Sequence, residues 1–263
     1  MTFPVGVTVS PMQATLTLPM DRTPEQDDVL LCEGCGYTLS GLPSGGNCPE
    51  CGKPIAETLA AGREPTAWEV RPTFGTLMRT AFAAGLRPRR FFRTLGVAVT
   101  PEQRRRAWWF GVMNLVVAAV GFASVGEVHS RMLGLTYFDA PLHFLGGPYM
   151  AWVAFFGLAA AGMVLGKELA ARATAFEARQ RGLRLPLTRV RRCLAYQSVG
   201  LVAVAAIVFT YVNAYAHLVT SGLVGGQTIE LYIYGLAALV PLAGVYLFLT
   251  YWAAMRGVMY ASR

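Results

Sequence analysis

The stretch CLAYQSVGLVAVAAIVFTYVNAYAHLVTSGLVGGQTI, residues 193–229, contains no charged residue, and neither does the run 231–255 that follows a single glutamate. A bilayer core about 30 Å thick needs about 20 apolar residues in a helix that rises about 1.5 Å per residue, so this region is too long for one span. Glycines and small polar residues around Gly225 favour a turn within it. We therefore predict two membrane spans, 194–219 and 231–255, joined by a tight connection.

Two further stretches pass the same length test, 107–126 and 144–165. The first begins with Trp108 and Trp109, and tryptophan is enriched at membrane interfaces. The composition agrees, because 54% of the residues are hydrophobic and 14% are charged, whereas soluble domains carry about 25% charged residues. The predicted fold class is an all-α membrane helical bundle of four transmembrane helices over residues 107–263.

The distribution of basic residues predicts the orientation of these spans. Lys and Arg beside a span tend to stay on the cytoplasmic side, and they are concentrated before the first span and between the second and third, whereas the first connection has Arg131 alone. We therefore predict an integral membrane protein of a bacterial inner membrane with both termini cytoplasmic. These charges either set the topology only or also bind anionic lipid headgroups. The candidate lipid contacts are Arg87, Arg89, Arg90, Arg189, Arg191 and Arg192.

Residues 73–106 are predicted to form an interfacial amphipathic helix followed by a basic segment. A helix here places five apolar side chains on one face, and it is too short to cross the bilayer. It lies either flat among the headgroups or packed against the bundle. Thr73 is a suitable N-cap residue. The apolar positions are Phe74, Leu77, Met78, Ala81 and Phe82.

Four of the five cysteines form two C-x-x-C pairs, Cys32 with Cys35 and Cys48 with Cys51. Two residues between cysteines let both sulfurs turn towards one ion, and two such pairs complete a tetrahedral thiolate site. Disulfides are the alternative, but the predicted cytoplasmic location keeps thiols reduced. We predict one structural zinc ion in a ribbon over residues 28–56, since four thiolates leave no position for an activated water.

The two pairs, CEGCGY from Cys32 and CPECG from Cys48, resemble the metal-binding loops of rubredoxin. The resemblance implies a small β-type ribbon. The segment between the loops is shorter than in rubredoxin, so a rubredoxin-type zinc ribbon is the better match. Iron at the same four cysteines, with electron transfer, is the alternative.

The loop between the pairs, residues 37–47, has no basic residue, whereas nucleic-acid binding requires Lys or Arg to meet phosphates. We therefore expect no nucleic-acid partner and predict a cytoplasmic protein partner that contacts Leu39, Leu42 and Pro43. A ribbon that only caps its own chain is the alternative. The proline-containing residues 1–27 are predicted to be a disordered tail, and residues 57–72 are predicted to be a linker.

Polar groups are few inside the predicted spans. Asn213 and His217 lie one helical turn apart and form a candidate intramembrane polar site, for which an interhelical hydrogen bond is the simpler explanation. The sequence has no recognisable catalytic motif, so an enzyme is not expected. Small residues four apart in the second span, such as Gly157 and Ala161, predict close helix packing. Assembly of the bundle into a homo-oligomer is left open.

From about residue 71 onward the chain resembles Yip-type membrane domains. The similarity lies in the amphipathic segment, in the run RPRRFF at residues 87–92 and in the apolar helices that follow. It implies a membrane-organising adaptor, and a membrane-anchored adaptor is the predicted function. One alternative is a small transporter or channel, if Asn213, His217 and Pro241 converge on a cavity. The other is electron transfer through an iron-loaded site.

Overall fold

The computed structural model describes residues 30–59, 63–96, 100–132, 149–181, 185–223 and 229–259. Within these residues, short helices precede residue 100 and long helices follow it. The predicted disordered tail, 1–27, lies outside the described residues. The short helices are α1 (Ile55–Leu59), α2 (Ala67–Val70), α3 (Phe74–Leu86) and α4 (Pro88–Thr94), and the long region comprises α5 (Pro101–Met132), α6 (Tyr149–Gln180), α7 (Leu187–Gln197), α8 (Val199–Thr220) and α9 (Ile229–Val258).

Within the described residues, four helical segments are long and apolar enough to cross a membrane, as predicted, and they indicate an integral membrane protein. The third is made by α7 and α8 together, with a turn at Ser198 between them. The predicted spans lie inside these segments, except that residues 144–148 fall outside the described chain. The segments are Pro101–His129, Met150–Gln180, Leu187–Thr220 and Ile229–Val258.

Helix α5 lies at the centre of the bundle and packs against α6, α7 and α8. Two glycines allow this close approach: a Cβ added at Gly111 would lie 3.0 Å from the Cβ of Ala195, and one at Gly121 would lie 3.1 Å from the Cβ of Ala205. Backbones that approach this closely gain van der Waals contact, which stabilises helix pairs in lipid. Small residues therefore hold the central helices together.

The small residues of α6 do not pack as predicted within the described part of the chain. A Cβ added at Gly157 would meet no described atom within 4 Å, and Ala161 is exposed. The predicted close packing through these two residues is therefore not made within the described part of the chain. The face that α6 presents to the rest of the bundle is formed by other residues, among them the buried Ala171 and Ala175.

Helices α6 and α9 carry the outer apolar surface of the bundle. Leu158 on α6 is 74% exposed and Val240 on α9 is 71% exposed. Apolar surface left in water costs roughly 25 cal/mol per Å², whereas the same side chains are favourably placed against acyl chains. This surface agrees with a position in a membrane.

One end of the bundle collects the cysteine-containing segment, helices α2 to α4, the starts of α5 and α7, and the end of α9. We call it the ribbon end. Its core contains the fully buried rings of Phe92, Phe110 and Tyr196. The Tyr196 ring lies 5.0 Å from that of Phe110 and 5.3 Å from that of Phe91, measured between centroids. Aromatic packing therefore joins α4, α5 and α7 at this end.

Helix α3 combines features of the two predictions for the amphipathic segment, a helix packed against the bundle and a helix that lies among the headgroups. Thr73 caps it as predicted, because its hydroxyl accepts a hydrogen bond from the Thr76 amide. Its inner face packs against the bundle and buries Thr80 and Ala84. Phe74 and Phe82, which were predicted to share one apolar face, are 77% and 64% exposed. The helix is thus fixed to the bundle and still presents aromatic side chains outward.

Candidate metal centre and its attachment to the bundle

The four cysteines lie on two backbone turns of matching geometry. In the first, the Cys32 amide donates to the Tyr37 carbonyl at 2.8 Å and the Gly36 amide donates to the Cys32 carbonyl at 2.8 Å. In the second, Cys48 bonds Lys53 at 2.7 Å and Gly52 bonds Cys48 at 2.9 Å in the same pattern. Gly36 and Gly52 have φ values of 82° and 72°, which favour glycine. The C-x-x-C-G pattern therefore builds two equivalent turns.

The turns bring the four sulfurs together. All four Sγ atoms lie within 4.8 Å of one another, with Cys32 and Cys51 at 3.5 Å and Cys35 and Cys48 at 3.6 Å. A tetrahedral zinc site with Zn–S bonds of about 2.3 Å places its sulfurs roughly 3.8 Å apart. No disulfide joins them, and separations of 3.5 and 3.6 Å are too long for S–S bonds of about 2.05 Å, so the arrangement fits a metal ion.

The local environment shifts the pKa of the Cys35 thiol and that of the Cys48 thiol in opposite directions. Burial raises the pKa of the Cys35 thiol to about 12. Burial opposes ionisation of Cys48 too, but hydrogen bonds from the backbone of Cys51 and Glu50 favour its thiolate and lower its pKa to about 7. Four thiolates close together repel one another, so a bound cation is needed to hold all four in the charged form.

The segment around the thiols has a small apolar core, and this changes the role of one predicted contact residue. Leu39 is 1% exposed and packs with Ile55, Cys32 and Cys48. It is therefore unavailable to a partner protein, because a segment this short needs its few large apolar side chains inside. Leu42 is half-buried at the margin of the same core, and Pro43 is exposed.

The backbone of this segment has paired residues but no sheet among the described residues. Leu31 pairs with Thr38, and Asn47 pairs with Pro54, each as an isolated antiparallel bridge. The predicted β-type ribbon is thus matched only by one bridge beside each turn. We call residues 30–59 the ribbon segment.

Arg63 fastens the ribbon segment to the bundle. Its guanidinium forms an ion pair with Glu33 at 2.7 Å and donates to the Leu95 carbonyl at 3.2 Å and the Gly257 carbonyl at 2.9 Å. The side chain is 6% exposed. One arginine therefore joins the first cysteine turn, the chain after α4 and the end of α9.

The described end of the predicted linker 57–72, residues 66–70, also contacts the bundle. Trp68 on α2 donates its indole N–H to the Arg106 carbonyl at 2.7 Å, and Arg106 donates at 2.7 Å to the carbonyls of Glu69 and Val70. Glu69 and Thr66 form a capping box at the start of α2. The segment is held in place because these polar groups find their partners on α5.

Arg192 was predicted to contact lipid, but the structure buries it. It is 5% exposed, and its guanidinium donates to both carboxylate oxygens of Glu69, at 2.7 and 2.6 Å, and to the Gly96 carbonyl. The pair lies at the ribbon end, beneath α2. A buried guanidinium with a carboxylate partner cannot reach headgroups, so the prediction is corrected for this residue.

The other predicted lipid contacts lie nearer the surface. Arg87, Arg89, Arg90 and Arg191 are exposed, and Arg189 is half-buried. Arg191 pairs with Glu168 at 2.5 Å, at the margin of a groove of about 690 Å³ between α5, α6 and α7. Contact with lipid stays a prediction for these five residues.

The structure does not bring Asn213 and His217 into a shared polar site. The Asn213 amide donates to the Phe209 carbonyl of its own helix at 2.8 Å, and His217 is exposed. A hydrogen bond forms instead between His129, at the end of the first membrane-crossing segment, and Tyr232, near the start of the fourth. The Nδ1 atom of His129 and the Oη atom of Tyr232 lie 2.6 Å apart. Sequence spacing gave no signal for this pair, because the two residues are on different helices.

Comparison with protein-family models found no match, and neither did searches of curated proteins and of solved structures. The resemblances to rubredoxin-type ribbons and to Yip-type membrane domains therefore rest on the residues quoted for them. Four clustered cysteines and four apolar helices agree with the ribbon-plus-bundle description.

Proposed function

We propose that the protein is a membrane-anchored adaptor in which a zinc-bearing ribbon segment is held at one end of a helical bundle to contact a cytoplasmic protein. The observation that carries the proposal is the attachment through Arg63, which joins the first cysteine turn to the end of α9. This attachment fixes the position of the ribbon segment relative to the bundle. A freely tethered domain would not need it.

The metal in this proposal has a structural role. Four thiolates in a tetrahedral arrangement suit zinc, with iron as the alternative, and the Sγ separations of 3.5 and 3.6 Å agree with that geometry. All four ligands would come from the chain, so no position is left for a reacting water. The ion would stabilise a segment whose apolar core is too small to fold it alone.

The contact surface lies on the exposed part of the loop between the two turns. Tyr37 is 40% exposed and Pro43 is exposed, whereas Leu39 is buried in the apolar core of the ribbon segment. Exposed tyrosine is common in protein interfaces, because its ring is apolar and its hydroxyl forms hydrogen bonds. The loop has no basic residue for phosphates, which favours a protein partner over nucleic acid.

The membrane orientation is part of the proposal. Arginines are concentrated at the ribbon end, where Arg89, Arg93 and Arg256 are exposed, and positively charged flanks tend to stay in the cytoplasm. We therefore place the ribbon end and both termini in the cytoplasm of a bacterial inner membrane. The Yip-type resemblance adds a membrane-organising role.

Orientation is tested by one cysteine added at Pro43 or at Thr220, which is at the other end of α8, in a chain that keeps the four ribbon cysteines and has Cys193 replaced by Ala. The same chain without the added cysteine gives the background labelling. A membrane-impermeant maleimide applied to intact cells should label Thr220→Cys and should reach Pro43→Cys only after the inner membrane is permeabilised. The opposite order of labelling would contradict the proposed orientation.

Partner contact is tested with a photo-crosslinking amino acid at Tyr37 or Pro43, with the same amino acid at Thr220 as the control. The expected result is a discrete cross-linked product from the two loop positions, absent at Thr220, and lost when Cys32→Ser and Cys48→Ser unfold the ribbon segment. A product of twice the mass of the chain would identify a homo-oligomer. Equal products at all three positions, or none, would contradict the adaptor function.

A further inference from the structure

A cavity of about 620 Å³ lies between the ribbon segment and the bundle. Lys53 and Glu57 line it from the ribbon segment, and Arg89, Arg93 and Arg256 line it from the bundle. Arg63 and Glu33 also reach it, but they are already paired with each other. The cavity is therefore built from both parts of the chain and exists only because the ribbon segment is docked.

The cavity carries an uncompensated positive charge. Beyond the Arg63–Glu33 pair, four basic side chains face one acid, Glu57, which leaves a net charge of +3. Within the described part of the chain, none of Arg89, Arg93 and Arg256 has a carboxylate within ion-pair distance. Like charges gathered at one cavity repel each other, and a bound anion relieves that repulsion.

The placement of the three arginines is set by helix geometry and packing. Arg89 and Arg93 are four residues apart on α4, so they share one face of that helix. Arg256 reaches the same cavity from α9, which packs closely on α4 because Gly257 faces Phe92. Trp252, one turn before Arg256, lines the cavity as well, and the Arg256 guanidinium lies 5.7 Å from its ring centroid.

We propose that this cavity binds a phosphate group through Arg89, Arg93 and Arg256. Guanidinium groups match phosphate oxygens with paired hydrogen bonds, which a single point charge does not. An inorganic phosphate or phosphomonoester also carries more negative charge than a carboxylate and so suits three arginines better, and a phosphodiester headgroup offers the same paired acceptor oxygens. The site is independent of the adaptor function, because it requires only that the ribbon segment is docked.

Two kinds of molecule carry a phosphate group that this cavity can bind, a phospholipid with its headgroup and a soluble phosphate. The cavity lies at the end of a membrane-spanning helix, beside a half-exposed tryptophan of the kind found at membrane interfaces. A phospholipid can therefore reach it from the side. An inorganic phosphate or a phosphorylated small molecule can reach it from the aqueous side.

The test compares two triple variants of the full chain in nanodiscs of phosphatidylcholine. The cavity variant is Arg89→Gln, Arg93→Gln and Arg256→Gln. The control variant, Arg71→Gln, Arg79→Gln and Arg104→Gln, removes the same charge from exposed arginines at the same end of the molecule that do not line this cavity and are not among the predicted lipid contacts. Thermal unfolding in neutral lipid without added anion checks that both variants fold.

One arm titrates inorganic phosphate by calorimetry in the phosphatidylcholine nanodiscs. The other adds phosphatidylglycerol to the nanodiscs and counts the phosphatidylglycerol molecules retained by native mass spectrometry. Binding should weaken about tenfold or more for each lost arginine contact in the cavity variant and change little in the control. An effect in the calorimetric arm identifies soluble phosphate, and an effect in the lipid arm alone identifies a headgroup. Equal losses in both variants, or no loss in the cavity variant, would overturn the proposal.

A single substitution keeps the test decisive if the cavity triple variant unfolds. Arg93→Gln should weaken phosphate or lipid binding about tenfold, whereas Arg79→Gln, on the neighbouring helix α3 and also exposed, should leave it unchanged. The same loss in both would show general charge attraction and no defined site.

Discussion

The carboxylate of Glu69 and the guanidinium of Arg192, 123 residues apart in the chain, form an ion pair that is closed off from solvent. The Glu69 side chain is 0% exposed and the Arg192 side chain is 4% exposed. The carboxylate also accepts the Thr66 amide at 2.9 Å. This pair holds the short helix α2 on the middle of α7 and thereby fixes the chain that leads from the ribbon segment into the bundle.

Removing one partner of this pair should destabilise the protein strongly. Glu69→Gln leaves the Arg192 charge buried without a counter-charge, and such changes cost about 3–5 kcal/mol. The measurement is the free energy of unfolding in detergent, with Glu168→Gln as the control, because Glu168 pairs with the neighbouring Arg191 at the surface. Equal destabilisation by both variants would show that burial of the Glu69 pair is unimportant.

Gly257 should resist substitution because α4 crosses α9 at that residue. A Cβ there would lie 2.8 Å from the Phe92 Cβ and 2.9 Å from its carbonyl carbon, so backbone must move. We expect Gly257→Ala to destabilise by about 1–3 kcal/mol. Gly244→Ala on the same helix meets no described atom within 4 Å and should stabilise by up to about 1 kcal/mol through helix propensity. Thermal unfolding of the two variants checks this, and a neutral Gly257→Ala would show that α4 does not pack as described.

The hydroxyl of Tyr232 should contribute to stability through His129. Tyr232→Phe removes the 2.6 Å bond to Nδ1 and leaves a polar imidazole atom without this partner, at a cost of about 1–3 kcal/mol. Tyr234→Phe, two residues along the same helix and 66% exposed, should change stability by less than about 0.5 kcal/mol. Chemical denaturation followed by circular dichroism separates the two, and no difference between them would argue against the hydrogen bond.

The metal centre should depend on the four clustered cysteines and not on the fifth. Elemental analysis of the purified protein should give one equivalent of zinc, lost in Cys32→Ser and Cys48→Ser and kept in Cys193→Ala, because Cys193 is buried away from the cluster in the bundle core. Iron in place of zinc would support the electron-transfer alternative. No metal in the unmodified protein would contradict the predicted site.

Metal retention should also depend on pH in a defined direction. The ligands bind as thiolates, so protons compete with the ion, and burial favours the neutral form of Cys35. Retention should therefore be complete at neutral to basic pH and fall as the pH is lowered. Release into a chromogenic chelator between about pH 8 and pH 4 measures this. Retention that rises on acidification would contradict thiolate ligation.

Local patterns in the sequence predicted the parts of the structure that depend on neighbouring residues. The run of uncharged residues from 193 onward predicts membrane-spanning helices because the length of an apolar stretch alone sets whether it can cross a bilayer. The cysteine spacing predicts two metal-binding turns because a C-x-x-C-G segment builds its turn from its own backbone. Both predictions agree with four long apolar helices and four clustered thiols.

Tertiary structure alone decided which of several similar residues has which role. Arg191 and Arg192 are adjacent and have the same chemistry, but a helix turns about 100° per residue, so one faces outward and the other is buried against Glu69. Leu39 is apolar like Leu42, and only the small ribbon core shows that it is inside. The cavity between Arg93 and Arg256 likewise joins residues far apart in the chain. Such relationships depend on how separate helices pack, and the local sequence pattern does not fix which residues meet across helices.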